Sequence, residues 1–73
     1  MATLKHIGLY DKVELLDPVE TAPAGATGNV LEFHGEGEFA MVEFTSMPAE
    51  PLLDRIVIVP VSKLRLIESQ SSD

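Results

Sequence analysis

His34, Glu36 and Glu38, three side chains within five residues, are the set in this chain best suited to chemistry. An imidazole and two carboxylates can hold a divalent cation if a loop turns them inward, and in an extended segment a spacing of two puts all three on one side. One histidine leaves that ligand set incomplete unless a second element, such as one carrying His6, joins it. The glycines between them, Gly35 and Gly37, support the competing reading of a solvated acidic hairpin turn, so no metal site is assigned and the three residues stand as candidates only. The same run has the glycines of a phosphate cradle but puts carboxylates where a phosphate would sit.

Other chemistry is thinner. Cysteine is absent, and Ser46, Ser62 and the tail serines have no histidine near them in sequence to act as base, so nucleophilic catalysis lacks its parts. Glu14, Glu32 and Glu43 could pair as general acid and base if burial separated their pKa values. Outward strand positions are normally polar, however, and acids there discourage edge pairing. Tyr10 and Phe39 could line a groove for extended peptides, but one tyrosine and three phenylalanines are few, and Phe33 and Phe44 are expected in the core. The expectation is a protein with no catalytic residue and no cofactor.

The elements that must carry these residues are strands. Glycine and proline clusters divide the chain into apolar stretches of strand length. In residues 10–16, Val13 and Leu15 share one face at period two, and Asp17-Pro18 ends the run. Residues 19–26, with Pro23 and Gly25 inside the segment and Pro18 just before it, are expected to form a loop lying over the barrel. The chain re-enters a strand near Thr27, and Gly28 within it suggests a bulge or bend. Residues 27–33 and 39–45 then read as a hairpin around the glycine-spaced turn, with Ala40, Val42 and Phe44 on the core face. After the break at residues 46–51, the run from Arg55 to Val61 is β-branched and apolar on both faces. Its outer face therefore needs a cover, and Pro60 puts it at an edge or at its end. Ser62 opens a helical or 3₁₀ turn into a last strand, with Leu64 and Leu66 inward.

Strand, long loop, hairpin, strand, short turn and last strand is the order of an SH3-like small barrel, all-β, with about five antiparallel strands. The chain resembles a family of short uncharacterised bacterial proteins, a domain of unknown function with that fold. The resemblance is carried by residues 9–15 (Leu-Tyr-Asp-Lys-Val-Glu-Leu), 23–30 (Pro-Ala-Gly-Ala-Thr-Gly-Asn-Val), Val42-Glu43-Phe44 and residues 61–66 (Val-Ser-Lys-Leu-Arg-Leu), and it spans residues 9–67. It implies the barrel and no catalytic residues; the two prolines between Met47 and Leu53 depart from the family's pattern.

At 73 residues the chain is one domain, expected over residues 1–68 with a disordered polar tail at 69–73. Without cysteine, neither a disulfide nor a thiolate zinc site can staple so small a core, which must come from Val, Leu and Ile. Twelve acidic residues against five basic give a net charge of −7, which disfavours nucleic acid and anionic membranes as partners. With no apolar stretch long enough for a leader or a span, the expected location is the cytoplasm. The functional expectation is a binding or assembly module. Its surface would be centred on Met47, Leu52, Leu53, Ile56, Val57 and Val59, and covered by homo-oligomerisation or by a protein partner. The alternative is a sensor of a divalent metal or small ligand at the His34 turn.

Overall fold

The computed structural model describes residues 7–48 and 50–69; His6 and residues 70–73 of the expected tail lie outside the described residues. Five strands, β1 (Lys12–Leu15), β2 (Thr27–His34), β3 (Phe39–Glu43), β4 (Ile56–Pro60) and β5 (Leu64–Glu68), form one antiparallel sheet in the order β4-β3-β2-β1-β5. A 3₁₀ turn at Val61–Lys63 separates β4 from β5, and the architecture is an SH3-like small barrel. Placing β5 beside β1 brings the two ends of the described chain together, and β4 and β5 are left as the outer strands.

Period-two alternation builds the core. Val13 and Leu15 from β1, Val30 from β2, Ala40 and Val42 from β3 and Phe44 just beyond it are fully buried, joined by Val57, Val59 and Leu64. Each large aliphatic side chain so enclosed contributes about 1.5–3 kcal/mol relative to exposure. Phe33 packs against this cluster from its margin, and Leu66 is half-buried. The loop of residues 16–26 lies over the barrel as expected and adds Ala22 and Ala26 to the core. It is tied down by its backbone: Leu16 N–H donates to the Lys63 carbonyl (2.7 Å), Gly25 N–H donates to Leu15 (2.7 Å), and Val19 and Ala22 bond reciprocally (2.9 Å). The Thr21 hydroxyl donates to the Asp54 carbonyl.

Three features differ from the sequence reading. The register shift in the β2–β3 ladder falls between Val30 and Glu32, beyond Gly28. Gly28 marks a close approach of β2 to the Glu43–Phe44 backbone, where a side chain would not fit. A single helical turn, α1 (Leu52–Arg55), precedes β4, with Pro51 at its N-cap. Four residues are too few for helical periodicity to show in a sequence. The third difference concerns β4, which is apolar on both faces as expected but does not present Val57 and Val59 on the contact surface expected of them. Val57 and Val59 point into the core, and Ile56, Ile58 and Pro60 alternate outward.

Candidate functional site

The turn that carries His34, Glu36 and Glu38 is wound, not extended. Gly35 (φ +61°), Glu36 (φ +59°) and Gly37 (φ +93°) all occupy the left-handed region, forming a 3₁₀-like turn closed by the Glu38 N–H on the Gly35 carbonyl (3.2 Å). Alternation therefore stops at the end of β2, and the three side chains do not share a side as an extended segment would have them. Among the described residues no group of three His, Asp or Glu side chains is placed to hold a metal ion. His34 Nε2 is shielded from solvent without a hydrogen-bond partner, and the nearest acidic oxygen is Glu32 Oε2 at 3.9 Å. The other carboxylates considered for chemistry are engaged in the sheet. Glu14 accepts from Arg65 Nε (3.0 Å) across the β1–β5 ladder, and Glu43 accepts from Arg55 Nε (3.0 Å).

The proposed contact residues divide. Val57 and Val59 are 6% and 0% exposed and belong to the core, which removes them from any surface. Met47 is half-buried and packs against the same core. Leu52 and Leu53 stand out on α1, the latter 81% exposed, and Ile56 is half-buried on the outward side of β4.

The outer face of the sheet supplies the rest. Residues directly opposite in an antiparallel ladder share a face, and the β3–β4 register pairs Met41 with Ile58 and Phe39 with Pro60. Ile58 is 49% exposed and Phe39 40%. On β2 the same face carries Glu32, opposite Met41, and His34, opposite Phe39. An apolar stripe thus runs along the β4 margin and gives way to polar residues toward the middle of the sheet. Beyond the end of β4, Glu38, Phe39, Pro60, Val61 and Ser62 line an open depression of about 370 Å³.

The stripe lies next to unpaired backbone. At one end of the β3–β4 ladder Phe44 N–H donates to Arg55 (2.7 Å), and at the other Val61 N–H donates to Glu38 (2.9 Å). Alternation between these ends turns the polar groups of Val57 and Val59 toward β3 and those of Ile56, Ile58 and Pro60 away from it. No other described strand pairs with that side, so among the described residues β4 is a free edge. Pro60, which has no N–H, falls on the outward side, where a ladder loses nothing by its presence.

Ile58 and Pro60 lie in the apolar run whose outer face was expected to need a cover, and Phe39 was weighed for a peptide groove, whereas Met41 was not among the contact residues expected from the sequence. The signal that could have set Ile58 and Pro60 outward is the strict alternation of residues 56–60, once Val57 and Val59 are assigned inward. None of the described helices is long and apolar enough to cross a membrane. Comparison with models of known families, with curated proteins and with solved structures finds no match.

Proposed function

We propose that this protein is a non-catalytic binding or assembly module, working through protein–protein contacts at the outer face and free edge of β4. The observation that carries the reading is the coincidence of outward apolar side chains, Ile58 and its cross-strand neighbour Met41, with an edge whose backbone groups have no partner strand among the described residues. Either feature alone is ordinary. Together they are a template for another chain, because an unpaired edge offers backbone hydrogen bonds and the stripe offers apolar area. The partner is a second copy or another protein. Kinship with short bacterial proteins of SH3-like fold, resting on the motifs within residues 9–67, is part of the same proposal.

The test is Ile58→Lys, which adds charge to the surface and leaves the core intact. The variant is expected to keep the wild-type circular dichroism spectrum. It is also expected to lose the assembly in which the wild-type chain travels when native extracts of its own cells are sized by chromatography. A wild-type chain that elutes there at its own 7.9 kDa, or a variant that elutes with the wild-type assembly, contradicts the reading.

A further inference from the structure

We infer that the free edge of β4 takes an extended peptide segment of another protein as an added strand, and that the depression at its Pro60 end holds a lysine or arginine side chain of that segment. This rests on the binding-module reading above and names the chemistry of its partner.

The edge geometry sets the first requirement. Ile56 and Ile58 each turn an N–H and a C=O away from β3, and Pro60 a C=O only, so an incoming strand finds acceptors along the whole edge and donors at its first two outward positions. The Ile58 and Met41 side chains flank that edge on the outer face and favour apolar residues at alternate positions of the incoming strand.

The depression sets the second. Its lining is mostly apolar and brings Phe39 and Pro60 beside Glu38, whose carboxylate has no ion-pair partner among the described residues. A long cationic side chain suits this arrangement, laying its methylenes on Phe39 and Pro60 and placing its charge at Glu38. A guanidinium would also gain from the ring face. An acidic side chain would meet Glu38 in a molecule whose net charge is already −7.

The same observations disfavour a second copy as the occupant. A two-fold β4–β4 pairing has to avoid the register centred on Ile58, in which both Ile56 carbonyls face a proline without a donor, and is left with registers such as that centred on Val57, in which Ile56 and Ile58 exchange their bonds. It also brings together two chains of charge −7, whereas a basic segment is drawn to this surface.

The test is selection from a random twelve-residue peptide display library, with the intact wild-type chain and Glu38→Lys as parallel baits, followed by amide exchange on the complex. Wild-type bait is expected to enrich peptides with apolar residues at alternate positions and a Lys or Arg at one fixed position. Glu38→Lys, an exposed substitution, should weaken those peptides by about fivefold or more. In the complex the amides of Ile56 and Ile58 should gain protection. Failure to enrich, enriched peptides without a basic position, affinity indifferent to Glu38→Lys, or unchanged exchange at Ile56 and Ile58 would each overturn the inference. If sizing of native assemblies meanwhile finds a homo-oligomer that Ile58→Lys dissolves, the binding-module reading stands and this partner assignment alone fails.

Discussion

At Gly28 the backbone of β2 passes so near the end of β3 that a Cβ would lie 2.0 Å from the Glu43 carbonyl oxygen and 2.6 Å from the Phe44 Cα. Both are backbone atoms, so relief requires the strands to part. Gly28→Ala is expected to lower stability by about 2 kcal/mol or more in urea unfolding, and a loss below about 1 kcal/mol would show that the strands separate freely at this point. A glycine inside a strand can mean a bulge or a close approach, and the choice depends on a neighbour fifteen residues away, which is why the sequence misplaced the irregularity. The phenylalanines were more legible, because apolar alternation alone assigns Phe44 to the core. Phe44→Ala should cost about 3–5 kcal/mol, against about 0.5 kcal/mol for the half-exposed Phe39→Ala, measured in the same way. Comparable losses at the two positions would contradict their placement. The His34 set was legible as residue types but not as geometry, because the positive φ angles at Gly35, Glu36 and Gly37 replace the extended backbone that its spacing assumed.

Among the elements, β4 carries the functional argument. Five consecutive apolar residues conceal a period of two, since hydropathy cannot distinguish a side chain pointing into the core from one pointing out. The structure separates them, and the separation can be tested by paired substitutions. Val59→Asp buries an unpaired carboxylate at a site with no solvent exposure and is expected to unfold much of the population, at a cost of about 3 kcal/mol or more. Ile58→Lys, one residue away, should unfold within about 0.5 kcal/mol of wild type. Circular dichroism against urea distinguishes them, and equal losses would mean that the strand faces the other way or has no fixed face. Amide exchange on the unliganded chain gives the same assignment from the backbone: Val57 and Val59 should exchange slowly, Ile56 and Ile58 fast. The hairpin of β2 and β3, the loop over the barrel and the 3₁₀ turn before β5 were all legible, since glycine, proline and alternation mark them. The α1 turn was not, because it is a single turn set by its place between Pro51 and β4.

For the whole molecule, charge and edge act together. With Arg65 and Arg55 paired to Glu14 and Glu43, three lysines are left against ten further acidic residues, and the net charge of −7 makes the molecule repel copies of itself. The purified chain is therefore expected to remain a monomer of 7.9 kDa by light scattering across a hundredfold dilution. A stable dimer would assign the β4 edge to self-association. The succession of five strands along the chain, and the core apart from Val57 and Val59, were legible at this scale because the punctuation between strands is dense in a short chain. The contact surface expected from the sequence was drawn from the same run of chain as the surface proposed here, but it included Val57 and Val59, which the core takes up.

The central claim, that the outward side of β4 is where this protein meets another chain, is tested most directly by a photo-reactive amino acid in place of Ile58, irradiated in the cells that make the protein. Lys12, on β1 in the interior of the sheet order, serves as the control position. The account predicts one defined adduct from position 58, absent from position 12, whose cross-linked peptide contains a lysine or arginine. No adduct at position 58 above that at position 12 would contradict it.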